Sequence, residues 1–280
     1  MTNTTPASGS PRPSDSPARR APRPGARSRR ARLWIPNQPG AWVMVLTPAI
    51  AGIIVGGPSW RGAWVAVAWL ACYCTQFTVA RWLVSHIKPR YRTPALTYAA
   101  VTCVIGLPLL ALTPQLLWWA FVYVPLAGAS FALAWMRRDR GFASQTVACL
   151  AAGAIGAVTV SMGSRFYPVD PLPKVAVTVG VVFALFEIGQ VLFVPSMLSR
   201  SEDVRRRCYV ASVAMSVALT AAGIAVHPAL GAAGALLLCR AALLPPLVRR
   251  DVLPPLTAAP CELVTSVAVL AAVIVAGPSL

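Results

Sequence analysis

Two charged residues of this 280-residue chain, Glu187 and Arg240, stand at mid-depth in long apolar stretches. Glu262 lies near the end of another such stretch, and the whole chain has only 8 acidic residues. A charge at the centre of a membrane helix costs at least about 2.5–3.5 kcal/mol, so such residues usually have a partner or a function. A carboxylate and a guanidinium in this setting predict either an ion pair or a polar binding site within a bilayer.

Glu187 and Arg240 are predicted to lie at the same depth. Both stand in helices that enter from the same face, with predicted starts at residues 175 and 229. At about 1.5 Å per residue, both lie roughly 17–18 Å below that face. They are expected either to form a structural ion pair or to line a cavity for a substrate or an ion. Glu262, near the other end of the last helix, is a competing partner for Arg240.

A second group of candidate residues is basic and belongs to the polar segments after the second and sixth predicted helices. Arginine and lysine side chains there can bind an anionic head group or a diphosphate without a metal. A simpler explanation is that these charges only orient the protein in the membrane. The candidate anion-binding residues are Arg81, Lys88, Arg90, Arg92, Arg205, Arg206 and Arg207.

Metal and cofactor chemistry are not predicted. The two histidines, His86 and His227, fall in loops predicted on opposite faces of the membrane. Cys72 and Cys74 are close in sequence, but residues two positions apart on a helix point about 200° apart. No complete catalytic motif and no phosphate-binding glycine loop occurs in the chain. We therefore expect no metal and no other cofactor, and we assign no catalytic residue.

The elements that must position these residues are membrane-spanning helices. Hydrophobic residues make up 57% of the chain and charged residues 12%, whereas about 25% charged residues is usual for soluble domains. Apolar runs separated by short polar loops can only be spanning helices, because each unpaired backbone amide in lipid costs several kcal/mol. The pattern predicts an all-α polytopic membrane bundle with about nine transmembrane helices. The predicted spans are 41–57, 62–84, 95–112, 115–135, 142–161, 175–197, 208–226, 229–248 and 256–277.

Charge in the loops predicts the orientation. Most basic residues lie in the N-terminal tail and at the breaks after the second, fourth, sixth and eighth helices, while Arg61, Arg165 and Lys174 lie on the other side. The positive-inside rule therefore places the N-terminus in the cytoplasm and the C-terminus outside. The net charge of +17 follows from this bias. Because no basic and aromatic residues interleave, a nucleic-acid partner is not expected.

The N-terminal segment differs from the rest in composition. Residues 1–32 are rich in Pro, Ser, Ala and Arg and hold almost no large apolar side chain. Such a segment cannot bury enough apolar surface to offset its ordering entropy. We therefore expect residues 1–35 to form a disordered basic cytoplasmic tail, attracted to anionic lipid, and residues 36–280 to form the transmembrane helical domain.

Small residues and prolines within the spans predict how the helices pack. Gly52 and Gly56, together with the stretch from Ala151 to Ala157, allow neighbouring helices to approach closely. A proline inside a helix removes one hydrogen bond and is expected to kink or interrupt it. Such prolines are Pro48, Pro108, Pro125 and Pro195.

A short motif, Pro36-Asn37-Gln38-Pro39-Gly40-Ala41-Trp42, opens the first helix. It resembles the P-x-Q-H-G-A-W opening of YwiC-like proteins, a family of bacterial multi-pass membrane proteins. Weaker similarities follow before helix 5, at the end of helix 6 and at Glu262. The family-like residues of the motif are Asn37, Gln38, Gly40, Ala41 and Trp42.

The chain also departs from the family pattern. Pro39 stands where the family has His, and Pro195 and Ser199 stand where basic residues are expected. The resemblance implies a multi-pass protein of the bacterial cytoplasmic membrane. It implies no activity, because the family has none that is established.

The layout is also similar to that of UbiA-type intramembrane prenyltransferases. In those enzymes, polar cytoplasmic loops after helices 2 and 6 carry Asp-rich motifs that hold Mg²⁺ and diphosphate. Here residues 80–90 contain no carboxylate, and the second loop offers only Glu202 and Asp203. Mg²⁺ needs oxygen ligands around a phosphate, so metal-dependent prenyl transfer is not expected.

Three function classes remain open. The first is a YwiC-like membrane protein of unassigned activity that binds an anionic lipid or isoprenoid head group at its cytoplasmic face. The second is a UbiA-like lipid-modifying transferase without the Asp-rich motifs, and the third is a small-solute transporter. The lipid bilayer is the predicted partner, with anionic lipid head groups as candidate ligands. The sequence decides neither between enzyme and non-enzyme nor the oligomeric state.

Overall fold

The computed structural model describes residues 33–34, 39–250, 252–254 and 257–280. Residues 1–32 of the predicted tail, and Asn37 and Gln38 of the motif, lie outside these ranges. Nine α-helices have their full extent within the described residues, and a 3₁₀ segment, Pro114–Trp119, precedes the fourth. The helices are α1 Pro39–Gly56, α2 Trp60–Val84, α3 Pro89–Leu112, α4 Ala120–Trp135, α5 Phe142–Ser161, α6 Lys174–Leu198, α7 Glu202–Val226, α8 Pro228–Arg249 and α9 Ala258–Ala276.

Eight of these helices are long and apolar enough to cross a membrane, counting α4 together with the 3₁₀ segment before it. α1 is shorter, at 18 residues. At about 1.5 Å per residue it is roughly 27 Å long, which is close to the thickness of the hydrocarbon layer. The predicted all-α, multi-pass membrane bundle is confirmed.

Two helices begin well before their predicted spans. α3 begins at residue 89 and α7 at residue 202, whereas the predicted spans begin at 95 and 208. Hydropathy marks the apolar part of a helix, but the backbone stays paired where the helix continues into the polar layer. Pro89 suits the first turn of α3, since it has no N–H to pair. Glu202 and Asp203 suit the positive N-terminal end of α7.

Prolines do not end the helices that contain them. Pro48, Pro108, Pro125 and Pro195 all stand inside continuous α-helices. The predicted interruptions are therefore absent at these four positions. Each proline removes only one hydrogen bond, and the remaining backbone groups keep their helical partners in lipid.

α6 is the central helix of the bundle. It packs against α1, α5, α7, α8 and α9, and its residues Phe183, Phe186 and Phe193 are fully buried. α2 and α4 pack on α5, α3 packs on α2, and α9 packs on α1. Polar residues on α6, α8 and α9 therefore meet in the interior, whereas the loop after α2 belongs to the outer helices.

Glycines bring α1, α5 and α6 into close contact. A Cβ on Gly52 would collide with Thr159 of α5, and one on Gly56 would lie 2.5 Å from the carbonyl oxygen of Val160. On the other side of α5, a Cβ on Gly153 would lie 2.5 Å from a carbonyl oxygen of α6. The predicted role of these small residues in helix packing is confirmed.

Alternate loops share one end of the bundle, because successive spanning helices run in opposite directions. We call the end with the loops after α2, α4, α6 and α8 the basic end. It is the end predicted to face the cytoplasm.

Candidate functional site

A polar pocket opens at the basic end, between the α2–α3 loop and the α4–α5 loop. Its volume is about 300 Å³. Five basic side chains and one acidic side chain line it, together with Val84, Ser85 and Tyr91. We call it the basic pocket, and its charged residues are Arg81, Lys88, Arg90, Arg137, Arg140 and Asp139.

Both loops of the basic pocket leave their helices through the same kind of turn. His86 after α2 has φ 55°, and Arg137 after α4 has φ 58°. The N–H groups of Ile87 and Arg138 then reach back to helix carbonyls, at 3.0 and 2.8 Å. Glycine is the usual residue at the left-handed position of such a helix end. Other residues there cost roughly 1–2 kcal/mol, so both walls of the pocket carry backbone strain.

Contacts between neighbouring helices hold the walls of the basic pocket in place. The His86 ring meets the Trp135 ring edge-on, with centroids 6.4 Å apart, and so links the end of α2 to the end of α4. The Ser85 hydroxyl donates to the carbonyl of Trp82 at 2.7 Å and accepts from the N–H of Lys88 at 3.3 Å. The pocket is therefore shaped by helix ends.

Two arginines of the basic pocket lie over aromatic rings. The guanidinium carbon of Arg81 is 4.9 Å from the ring centroid of Phe77, and that of Arg90 is 4.8 Å from the ring centroid of Tyr91. Stacking uses the face of a guanidinium and leaves the N–H groups around its edge to point outward. The rings thus help to orient both cations.

Two helices begin beside the basic pocket, and neither has an acidic residue in its first turn. α3 begins at Pro89 and α5 at Phe142, and no side chain caps either start with a hydrogen bond. The N–H groups at a helix start carry a partial positive charge and bind anions readily. α7 differs, since Glu202 and Asp203 occupy its first turn. Positive potential is therefore concentrated at the basic pocket and reduced at the start of α7.

Three predicted anion-binding residues, Arg81, Lys88 and Arg90, come together in the basic pocket. Arg92 is not among the lining residues. The rest of the basic lining comes from the α4–α5 loop, which sequence reasoning did not include in the site. The sequence could have indicated this loop, because it is basic and was predicted on the same face of the membrane as the α2–α3 loop.

The other predicted anion-binding residues stand on α7 and do not line the basic pocket. Arg205 forms a salt bridge with Glu202 at 3.5 Å, within one helical turn. Arg206 and Arg207 are exposed. These three arginines thus form a separate basic surface at the same end of the bundle.

Arg240 is buried in the bundle interior, with 6% of its surface exposed. Its Nη1 donates to Gln190 Oε1 at 2.5 Å and to Thr265 Oγ1 at 2.9 Å. Its guanidinium carbon lies 4.1 Å from the ring centroid of Phe193. Arg240 therefore ties α8 to both α6 and α9.

Glu187 is equally buried but lacks such partners. It is 5% exposed, and its Oε1 has no hydrogen-bond partner. Among the described residues, no salt bridge within 4.0 Å joins Glu187 to Arg240. One of the two expected arrangements, a direct ion pair, is therefore not formed, because Arg240 lies level with Gln190, about one turn further along α6. Sequence reasoning missed Gln190, although its spacing of three from Glu187 puts both on one face of the helix.

Glu262 of α9 is half-buried and belongs to the same charged environment. Arg240 interacts electrostatically with Glu262 and with Glu187, and the two carboxylates interact with each other. Cys149 of α5 also interacts with Glu187. We call the following set the intramembrane polar cluster: Glu187, Gln190, Arg240, Glu262 and Thr265.

Gly40, Ala41 and Trp42 of the family-like motif are described at the start of α1. The Trp42 ring meets the Tyr73 ring edge-on, with centroids 5.6 Å apart. Gly40 has open space where a Cβ would be. Trp42 thus holds the start of α1 against α2.

Comparison with known proteins relates the chain to one family. Residues 35–160 match the model of the YwiC-like protein family. The predicted resemblance is confirmed for these residues, whereas the weaker similarities at the end of helix 6 and at Glu262 lie outside them and stay predictions. An uncharacterized protein of Haemophilus influenzae is 24% identical over 174 residues, which cover 62% of this chain and 71% of that relative. No solved structure matches the chain.

The YwiC-like region contains every residue that lines the basic pocket. It ends at residue 160, before α6 begins at Lys174. The intramembrane polar cluster therefore lies outside it. The two candidate sites belong to different parts of the chain.

Proposed function

We propose that this multi-pass membrane protein binds the phosphate of an anionic lipid head group in the basic pocket, in the cytoplasmic membrane of a bacterium. One observation carries the proposal. Five basic side chains from two loops and the adjoining ends of α2 and α3 converge on one pocket, at the end of the bundle predicted to face the cytoplasm. We expect that end to lie at the level of the head groups of the inner leaflet.

The chemistry of the lining suits a phosphate. Arginine forms paired hydrogen bonds to two phosphate oxygens, and Lys88 adds a compact positive charge. The carboxylate of Asp139 can accept a hydrogen bond from an amine or hydroxyl group elsewhere on the head group. Each basic residue near an anionic membrane surface adds about 1 kcal/mol of attraction. A pocket of this kind therefore favours anionic over zwitterionic lipids.

The helix starts favour the same ligand. No side chain caps the N–H groups at the start of α5, so an anion beside them gains both hydrogen bonds and dipole stabilisation. The start of α3 adds mainly dipole stabilisation, because Pro89 has no N–H and the N–H of Tyr91 donates to the Lys88 carbonyl at 3.1 Å. The start of α7 already has Glu202 and Asp203 in that place. This contrast favours the basic pocket over the α7 arginines as the site.

Native mass spectrometry of the full-length protein in mild detergent tests the proposal. The protein is mixed with phosphatidylglycerol, with a polyprenyl phosphate or with phosphatidylcholine. The first two lipids show whether the bound phosphate belongs to a phospholipid or to an isoprenoid. Phosphatidylcholine, which is zwitterionic, gives the baseline. We expect retention of an anionic lipid well above that of phosphatidylcholine, and equal retention would overturn the proposal.

A matched pair of double variants assigns the binding to the pocket. Lys88→Gln with Arg90→Gln removes two exposed charges from the basic pocket. Arg206→Gln with Arg207→Gln removes two exposed charges at the same end, outside the pocket. We expect about a thirtyfold loss of anionic lipid for the first pair, since two charges are worth about 2 kcal/mol, and little loss for the second. Equal losses would show a diffuse charge effect instead.

We do not propose the UbiA-like transferase. That chemistry needs the loops after helices 2 and 6 to share a phosphate and metal site, whereas the loop after α2 lines its pocket with the loop after α4. Asp139 is the one acidic residue of that lining. Within the described residues, no group of three His, Cys, Asp or Glu side chains is arranged to hold a metal ion. These side chains therefore do not fit a Mg²⁺ site.

A further inference from the structure

Glu187 is a buried carboxyl group without a hydrogen-bond donor at its Oε1. It is 5% exposed and stands on α6, which packs against five other helices. A carboxylate in such a place normally accepts several hydrogen bonds or has a cation in contact, because its transfer out of water is unfavourable. Within the part of the chain that the structure describes, Oε1 of Glu187 has neither a hydrogen-bond donor nor a cation in contact.

Arg240 gives Glu187 no hydrogen bond: the contacts of its Nη1 are made elsewhere, and its buried Nε has no hydrogen-bond partner. Its Nη1 donates to Gln190 and Thr265, and the face of its guanidinium lies on the Phe193 ring. It also interacts with Glu262, so its single positive charge is shared between two acidic residues. When both acids are ionised, the intramembrane polar cluster holds one negative charge in excess.

The helices around α6 supply few other ionisable groups. α1 contains none, and the buried polar residues of α7 are the serines Ser212 and Ser216. α5 contributes a thiol, which cannot offset a negative charge. In the described part of the chain, the ionisable groups that interact with Glu187 are Cys149, Arg240 and Glu262.

We propose that Glu187 is a proton-binding site within the membrane, with Arg240 and Glu262 as the charges beside it. A proton on Oε1 removes the excess negative charge and requires only one oxygen. A metal cation requires several oxygen ligands, and Glu187 Oε1 is the one buried carboxylate oxygen without a partner in the described residues. The site lies outside the YwiC-like region and is separate from the lipid site proposed above.

Infrared spectroscopy during a pH titration of the full-length protein in lipid bilayers tests this proposal. The wild type is compared with Glu187→Gln and with Glu202→Gln, which changes an exposed carboxylate on α7. We expect a carbonyl band of a protonated carboxyl group in the wild type that disappears as pH rises. The band should be absent in Glu187→Gln and retained in Glu202→Gln. Identical bands in the wild type and Glu187→Gln would overturn the assignment.

A second measurement covers the case in which Glu187→Gln does not fold. Dicyclohexylcarbodiimide reacts with protonated carboxyl groups in apolar surroundings, and peptide mass spectrometry of the treated wild type locates the modified residue. Modification of Glu187 that declines as pH rises supports the proposal. Modification of Glu262 without modification of Glu187 contradicts it. Protection of Glu187 by sodium chloride, but not by choline chloride, would identify a sodium site and also overturn the proton assignment.

Discussion

Arg137 combines a charge in the basic pocket with an unfavourable backbone conformation. Its φ of 58° is one that glycine adopts readily and other residues do not. Its side chain nevertheless lines the pocket. Strained residues tend to occur where the side chain has a function. A substitution of Arg137 can therefore change the stability of the protein and its lipid binding in opposite directions.

We predict that Arg137→Gly raises stability while it weakens lipid binding. Glycine relieves the left-handed backbone at the end of α4, which is worth about 1 kcal/mol. The same change removes one of five cations from the basic pocket. Thermal unfolding in detergent measures the first effect, and retention of phosphatidylglycerol in native mass spectrometry measures the second.

Arg138→Gly is the matched control for this prediction. Arg138 is the next residue, it is not among the positive-φ residues, and it does not line the pocket. We expect no gain in stability and no selective loss of lipid. A fall in stability for Arg137→Gly, or equal lipid loss for both variants, would contradict the assigned role of Arg137.

At the scale of elements, α5 packs between α1 and α6. Its glycines and small side chains allow α1 to approach from one side and α6 from the other. Lipid tails are as apolar as leucine, so helices associate in membranes through such close contacts. The α1–α5 interface therefore tolerates an added methyl group poorly.

We predict that Gly52→Ala destabilises the protein by about 1–3 kcal/mol, as overpacking of an interior usually does. The added Cβ would collide with the Thr159 side chain and the backbone of Gly156. Gly128→Ala, in α4, is the control, because nothing lies within 4 Å of its Cβ position. Unfolding in detergent should show a loss for the first variant and no loss for the second. Equal behaviour of both variants would argue against tight α1–α5 packing.

At the scale of the whole molecule, the number of crossings decides on which side each terminus lies. Within the described residues, eight helices satisfy the length and hydropathy of a span, and α1 is somewhat shorter. If α1 crosses as well, the two termini lie on opposite sides of the membrane. If it does not, they lie on the same side.

We predict that the C-terminus lies outside the cytoplasm. Alkaline phosphatase fused after Leu280 should be active, and green fluorescent protein fused there should be dark, since the first folds outside and the second inside. Fusions after Arg250, in the loop between α8 and α9, should show the opposite pattern. Phosphatase activity in both fusions, or in neither, would exclude nine crossings.

Sequence reasoning predicted the helices of this bundle better than it predicted their contacts. Apolar length identified the spans, because lipid acts on each segment separately. The partners of Arg240 were not predictable in this way. A shift of about one turn between α6 and α8 exchanges Glu187 for Gln190 as its partner, and hydropathy does not determine such a shift. The grouping of the α2–α3 loop with the α4–α5 loop also depends on lateral packing.

The sequence by itself determined that the chain is a multi-pass helical membrane protein with its basic loops at one end. These properties depend on local composition. Each segment in lipid must pair its own backbone N–H and C=O groups, and the charges of each loop orient the helices beside it. Only the tertiary structure decided that Arg81, Lys88 and Arg90 share a pocket with the α4–α5 loop, and that Glu187 is left without a partner. Both outcomes depend on how helices rotate and pack against one another, because each residue step turns a side chain by about 100°.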